Sequence, residues 1–101
     1  MTTKPRAYTE EEIREKFIEA VKVNTRYWEE QEDLSVHDRV EGAVFSALVI
    51  LDGESFLPGF AVIPRPHPDD RDYDISNGRN WYPNDVDISG CLHEQLLSQK
   101  I

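Results

Sequence analysis

The N-terminal third of the chain carries apolar residues at the spacing of one helix face. The stripe consists of Ile13, Phe17, Ala20, Val21 and Trp28, and Ile18 and Tyr27 widen it. Residues three and four positions apart lie on the same side of an α-helix. Thr9 and Glu12 have the spacing of a capping box, in which each side chain accepts the other residue's backbone amide. The pattern therefore predicts a helix from about Thr9 to Gln31, preceded by an irregular tail over residues 1–8.

A second helical pattern runs from Ser35 to Gly53. Its stripe is formed by Val36, Val40, Ala43, Val44, Ala47, Leu48 and Leu51. Ser35 can cap the start, and Gly53 stands where a left-handed C-terminal cap is expected. A buried strand with a hairpin turn at Asp52–Gly53 is the alternative, but the stripe and both terminal signals favour the helix. Because residues 45, 49 and 50 are also apolar, the helix is expected to be central or at an interface, and we expect a homodimer through it.

The rest of the sequence predicts how the two helices are arranged and which shorter elements follow them. Only residues 32–34 separate the two helices, so these should form an antiparallel hairpin. Phe60–Ile63 has the composition of a short strand that Pro64 must end or place at a sheet edge. A final helix is predicted from about Ile88 to Gln99, with an apolar stripe along one side. The expected fold is therefore α+β and mainly α, with a single globular domain over residues 9–101.

The segment from Pro64 to Gly90 differs in composition from the rest of the chain. It holds four of the six prolines and six of the nine aspartates, and it is long for an ordinary connection. Pro68, followed by acidic residues, predicts a short helix that ends near Asn77–Gly78. A type I′ hairpin at Asn77–Gly78 is the alternative, which the poor strand propensity of aspartate disfavours. Long ordered segments are often functional, so this one is the candidate working surface.

Two aromatic residues, Trp81 and Tyr82, lie inside this polar segment. They could form a lid over the core. Alternatively, they could be exposed anchors of a binding surface, a role in which aromatic residues and arginine predominate. The predicted binding surface consists of Trp81, Tyr82, Arg79, Asp70, Asp72, Asp74 and His67.

The aspartates of this segment also suggest a metal site. Asp70, Asp72 and Asp74 alternate as they do at the start of an EF-hand loop. The sixth position of that loop should be glycine but is Ile75, and the twelfth should be glutamate but is Trp81. The EF-hand pattern therefore fails. A different cation site using the histidine at position 67 is the alternative, although helix capping and solubility explain the aspartates more simply.

Charge and cysteine content narrow the choice of partners. The chain has 20 acidic and 11 basic side chains and a formal net charge of −9. This charge argues against nucleic acid, whose phosphates are neutralised by Lys and Arg, and against an anionic membrane surface. We expect a protein partner with a basic surface. The single Cys91, the lack of a signal peptide and apolar runs too short to span a membrane predict a cytoplasmic protein.

Carboxylates at the two ends of the first predicted helix form a pair of motifs. Glu11-Glu12-x-x-Glu15 and Glu30-x-x-Asp33 resemble the EExxE and ExxD motifs of the MazG-like all-α nucleoside triphosphate pyrophosphatases. The resemblance implies an alternative function, in which these carboxylates bind magnesium and the metal bridges the substrate phosphates. Glu15 and Glu30 would lie about 22 Å apart along one helix, so a shared metal would need a dimer. A solvated charged face is the simpler interpretation.

A wider resemblance covers residues 40–94. The runs VEGAVFSALVILDGES, LPGF, PHPDD, NGRNWYP and DISGCLHE are similar to a family of small bacterial and phage proteins to which no activity is attached. The resemblance implies a prokaryotic, cytoplasmic setting. With the charge and the aromatic pair, it leads to the expectation of a small, acidic, non-catalytic binding protein that needs no cofactor.

Overall fold

Four α-helices form the regular structure of the chain in a computed structural model, which describes residues 4–98. They are α1 (Glu10–Glu29), α2 (Val36–Leu51), α3 (Asp70–Ser76) and α4 (Leu92–Ser98). α1 and α2 form the predicted hairpin, and α4 packs against α2. No β-strand occurs among the described residues, so the prediction of an α+β fold is wrong and the chain is all-α.

α1 begins at the predicted capping box. The Thr9 hydroxyl accepts the Glu12 amide at 3.2 Å, and the Glu12 carboxylate accepts the Thr9 amide at 2.9 Å. Arg6 donates to both carboxylate oxygens of Glu12, at 2.8 and 3.1 Å. The Arg6 guanidinium, followed by the Thr9 amide, lowers the pKa of Glu12 to about 2. Residues 4–8 of the predicted tail have no regular structure, and residues 1–3 lie outside the described part of the chain.

α2 begins and ends where the sequence predicts. The Ser35 hydroxyl accepts the Asp38 amide at 3.1 Å, and Gly53 follows the helix with a φ of 83°. Glycine adopts this left-handed conformation without a steric penalty. Gly53 also passes close to Gly59, because a Cβ on residue 53 would lie 2.8 Å from the Gly59 Cα. The helix prediction for this segment is confirmed, and the strand alternative is wrong.

Trp28 joins the two long helices. Its indole nitrogen donates to the Ser46 hydroxyl at 2.9 Å. Its ring lies against Gly42, where a Cβ would be only 2.6 Å from the ring carbons. A second contact involves Phe17, whose ring centroid lies 5.4 Å from that of Phe60 in an edge-to-face arrangement. The chain that follows α2 therefore folds back onto α1.

The predicted strand at Phe60–Ile63 does not form. The Val62 carbonyl accepts the Ile88 amide at 2.8 Å, but the Val62 amide donates to the side chain of Asp87, also at 2.8 Å. A β-ladder needs backbone pairs that repeat along two strands. The prolines at positions 58 and 64 lack amide donors on both sides of the segment, so within the described residues this pairing is limited to Val62.

α4 begins four residues later than predicted. The expected start, Ile88, lies between two features that prevent a helix. Asp87 accepts the amide and the hydroxyl of Ser89, at 2.9 and 2.7 Å, and Gly90 has a φ of 113°. Helical backbone requires a φ near −60°, so the helix can begin only after Gly90. The C-terminal helix itself is confirmed, while its predicted end at Gln99 lies outside the described residues.

The helices form a thin layer. The chain measures 55 × 48 × 18 Å and has a Cα radius of gyration of 18.1 Å, whereas about 13 Å is typical of a 100-residue domain. Among the described residues, Ala20 and Ile50 are the buried apolar residues. α3 makes no packing contact with another helix of the described chain. The apolar stripes of α1 and α2 are therefore only partly covered by their own chain.

The substitution Gly42→Ala tests the contact between Trp28 and α2. The added methyl group would overlap the indole ring, and overpacking of this kind costs about 1–3 kcal/mol. Alanine is favoured over glycine in a helix by only about 0.5–1 kcal/mol. We therefore expect a lower free energy of unfolding in urea. The control Ser46→Ala removes the hydrogen bond without adding atoms and should cost about 1 kcal/mol. A higher unfolding midpoint for Gly42→Ala would contradict the packing of Trp28 described above.

Candidate functional site

Residues 63–86, which we call the Pro/Asp loop, leave the helical layer and return to it at one place. The two hydrogen bonds from Val62 to Asp87 and from Ile88 to Val62 close the base of this loop, each at 2.8 Å. Hydrogen bonds from Ser89 and Val62 hold the pKa of the Asp87 carboxyl below its usual value. The Pro/Asp loop therefore projects from an anchored base, as compact surface loops with binding functions commonly do.

α3 gives the Pro/Asp loop its internal order. At its start, the His67 amide donates to the Asp70 carboxylate at 2.9 Å, and the Asp70 amide donates to the His67 carbonyl at 3.0 Å. The Asp69 amide donates to His67 Nδ1 at 3.2 Å. A helix is present here, as predicted in preference to a hairpin, although it begins at Asp70 rather than at Pro68. Asp70 and His67 are thus both engaged in starting α3.

Asp74 and Arg79 close the other end of α3. The Arg79 amide donates to the Asp74 carbonyl at 2.9 Å, and the Arg79 guanidinium lies 3.2 Å from the Asp74 carboxylate. The same guanidinium lies over the Tyr73 ring, 5.3 Å from its centroid. The Asn77 side chain donates to the Tyr73 carbonyl at 2.8 Å. Two of the predicted recognition residues therefore bind each other at the end of α3.

Trp81 and Tyr82 face solvent. Their exposed fractions are 43% and 74%, which excludes the alternative that they form a lid over the core. The Arg71 guanidinium lies 5.1 Å from the centroid of the Trp81 ring. This cation–π contact connects the ring to α3 and limits the positions it can take. Both rings are therefore exposed, and the Trp81 ring is also held in place by Arg71.

A groove of about 450 Å³ lies between the start of α3 and the aromatic pair. It brings together three of the predicted recognition residues, His67, Trp81 and Tyr82. Asp70, Asp72, Asp74 and Arg79 are outside its lining. Sequence reasoning missed Asp85 and the proline walls. The full lining is Pro66, His67, Pro68, Arg71, Trp81, Tyr82, Pro83, Asn84 and Asp85.

The carboxylates predicted to bind magnesium do not form a metal centre within the described residues. No group of three or more His, Cys, Asp or Glu side chains in residues 4–98 could hold a metal ion. Glu12 is held in the capping box, and Glu30 is the C-terminal cap of α1. Because α1 is continuous, Glu15 and Glu30 lie about 22 Å apart along its axis. A magnesium site that uses these residues with Glu11 and Asp33 would need two chains and stays a prediction.

One buried polar contact was not predicted. Asp52, the C-terminal cap of α2, has no exposed side-chain surface. Its carboxylate accepts the Gly90 amide at 2.7 Å and the His93 amide at 2.9 Å, and it lies 2.6 Å from His93 Nδ1. The Phe45 ring packs edge-on against the imidazole, with the centroids 5.5 Å apart. We call this contact the Asp52 clasp; it joins the end of α2 to the start of α4.

Burial and hydrogen bonding act in opposite directions on Asp52. Burial raises the pKa of its carboxyl, but the hydrogen bonds from His93 and Gly90 outweigh this effect, so the pKa lies below its usual value. The ionised carboxylate can only accept, and His93 Nδ1 must therefore carry a hydrogen. An acid that orients an imidazole in this way also occurs in hydrolases. Here the His93 side chain is only 13% exposed, and the arrangement is suited to fastening two helices.

No sequence signal connects Asp52 with His93, because 41 positions separate them. Cys91 lies two positions before His93 in the sequence. Each has a different partner, since the Gln95 side chain donates to Cys91 Sγ at 3.2 Å. The sequence pattern of Asp52 with Gly53 indicates only a possible hairpin turn.

Comparison with known proteins supplies no identification. No protein-family model, curated protein or solved structure matches the chain. In the part of the chain that the structure describes, no helix is both long enough and apolar enough to cross a bilayer. The two family resemblances noted in the sequence therefore stay predictions.

The substitution Asp52→Asn tests the clasp. Loss of the charge weakens three hydrogen bonds to a buried group, and we expect a loss of about 2 kcal/mol in the free energy of unfolding at pH 7. The folded-state pKa of Asp52 is lower than its pKa in the unfolded chain. The stabilisation by Asp52 is therefore fully present above the unfolded-state pKa of this residue, and it is lost as the pH falls through the folded-state pKa. The difference in the free energy of unfolding between the wild type and Asp52→Asn should thus become smaller below about pH 4.

Asp72→Asn is the matched control, because it removes the same charge from an exposed position on α3. We expect it to change the free energy of unfolding by less than about 0.5 kcal/mol. Equal losses for the two variants, measured by urea unfolding at several pH values, would mean that net charge rather than the clasp governs stability.

Proposed function

We propose that the chain is a small, acidic, non-catalytic binding protein that recognises a protein partner through the groove of the Pro/Asp loop. The single observation that carries the proposal is the exposure of Trp81 and Tyr82 beside Arg71, outside the helical layer. Tryptophan, tyrosine and arginine are the residues that most often dominate the energy of protein interfaces. The aromatic pair in this loop has no core to stabilise, so an interface is the role that best accounts for it.

Rigidity of the groove supports the proposal. Pro66, Pro68 and Pro83 line it, and proline restricts the backbone to a narrow range of φ. The anchored base of the loop and the contact between Arg71 and Trp81 restrict it further. A binding surface that is already ordered loses less conformational entropy when a partner docks.

Charge supports a partner with a basic surface. The chain carries a formal net charge of −9, and the Pro/Asp loop holds five of the nine aspartates. Opposite charge on the partner would speed association and favour the correct orientation, and salt would weaken both effects. We further propose a bacterial or phage origin and a cytoplasmic location, on the basis of the wider sequence resemblance and the single cysteine.

The substitution Trp81→Ala tests the groove. The full chain is immobilised and incubated with a bacterial lysate, and captured proteins are identified by mass spectrometry. We expect one or a few captured partners that are lost with Trp81→Ala and that dissociate as the salt concentration rises. Because Trp81 is exposed, the circular dichroism spectrum and the unfolding midpoint should change little.

Tyr8→Ala is the matched control, because Tyr8 is also an exposed aromatic residue but lies far from the groove in sequence. It should leave capture unchanged. Equal capture by the wild type and Trp81→Ala would contradict a role for the groove. Magnesium-dependent release of pyrophosphate from nucleoside triphosphates, if abolished by Glu15→Gln, would overturn the non-catalytic assignment.

A further inference from the structure

The chain exposes more surface than a folded monomer of its mass. Its accessible surface is 8762 Å², whereas the scaling of surface with mass gives about 5,900 Å² for a monomer of 11.7 kDa. The excess is about 2,900 Å² per chain. Obligate homodimers bury about 2,000–5,000 Å² in total, shared between two chains. The excess is therefore large enough to contain one chain's half of a substantial interface.

A groove between α1 and α2 contributes to this excess. It encloses about 680 Å³ and is lined by apolar side chains that include Ala20, Phe45 and Ile50. Ala20 and Ile50 are also the buried apolar residues of the described chain, so the small core of the hairpin opens directly into the groove. Two further lining residues are strongly exposed, Val23 at 56% and Phe56 at 87%. The hairpin alone does not cover them.

We propose that a second copy of this chain covers the groove, so that two α1–α2 hairpins pack face to face about a twofold axis. A pair of helices with one open apolar face forms a complete core when a second pair covers it, as in four-helix bundles. The chain is only 18 Å thick, and a second layer would enclose the lining residues from both sides. Phe56 of each chain would then pack against the groove of the other.

Charges at the rim favour a second copy over a different partner. Lys16 and Glu19 both line the groove on α1. In a twofold interface, each contact between two different residues occurs twice. Lys16 of each chain can therefore face Glu19 of the other, which pairs all four charges. A partner surface that is uniformly basic would place a like charge opposite Lys16, and one that is uniformly acidic would place a like charge opposite Glu19. Both arrangements are disfavoured.

Sedimentation velocity of the full chain at micromolar concentrations is the first test. We expect a species of about twice the chain mass of 11.7 kDa. Val23→Glu introduces a carboxylate at the centre of the proposed interface and should weaken dimerisation by at least about 100-fold. Phe56→Ser should also weaken it, and because Phe56 is 87% exposed in one chain, the monomer should keep its helical circular dichroism.

Val40→Glu is the matched control. Val40 is 59% exposed on α2 and lines a separate groove nearer the hairpin turn, which shares no residue with the first. We expect this variant to dimerise like the wild type. A monomer at all concentrations would overturn the proposal. Dissociation by Val40→Glu while Val23→Glu stays dimeric would also overturn it, because the interface would then lie on the other groove.

A charge exchange tests the twofold pairing. Lys16→Glu and Glu19→Lys should each weaken their own homodimer, because each places like charges opposite one another. An equimolar mixture should form a heterodimer more tightly than either variant alone associates, since one chain then presents only acidic and the other only basic rim charges. If mixing gives no recovery, or if neither variant weakens association, the proposed pairing of Lys16 with Glu19 is wrong.

Discussion

The Asp52 clasp is the interaction on which the arrangement of the chain depends. An ionised carboxylate is costly to bury unless donors replace the lost water. Asp52 has no exposed side-chain surface, and its donors are two backbone amides and an imidazole. Its lowered pKa indicates that these donors more than compensate for burial. Because the donors lie 38 and 41 positions further along the chain, the clasp determines where α4 meets α2.

At the base of the Pro/Asp loop, Asp87 is a second carboxylate that joins separate parts of the chain by accepting backbone amides. Its carboxylate accepts the amides of Val62 and Ser89, one on each side of the loop closure. A pair of antiparallel strands would close a loop with backbone groups alone, but the prolines that flank Val62 remove the donors for such a ladder. The Asp87 carboxylate and the backbone hydrogen bond from Ile88 to Val62 therefore close the loop in place of a β-ladder. The loop they anchor is free to present Trp81 and Tyr82 away from the helical layer.

Sequence reasoning succeeded where the determining interactions are local. Thr9 with Glu12, and Ser35 with Asp38, are three positions apart, so the caps of both long helices are visible in the sequence. The strand prediction failed because β-propensity at Phe60–Ile63 says nothing about whether a partner strand exists. The orientation of Trp81 could not be predicted either, since its exposure depends on where the loop base lies. That position follows from contacts of Asp52 and Asp87 with distant residues.

The structure also changes the meaning of the aspartate-rich composition. Asp70 bonds to His67 before α3, Asp74 bonds to Arg79 after it, and Asp87 bonds at the loop base, so these three aspartates have structural partners. Asp85 lines the groove beside the aromatic pair, and no sequence motif distinguishes it from the other aspartates. An aspartate already bonded to a backbone amide or to Arg79 attracts a basic partner less strongly than a solvated one. The acidity available for recognition is therefore smaller than the composition of the segment suggests, and the exposed Asp69 and Asp72 contribute to it as well as Asp85.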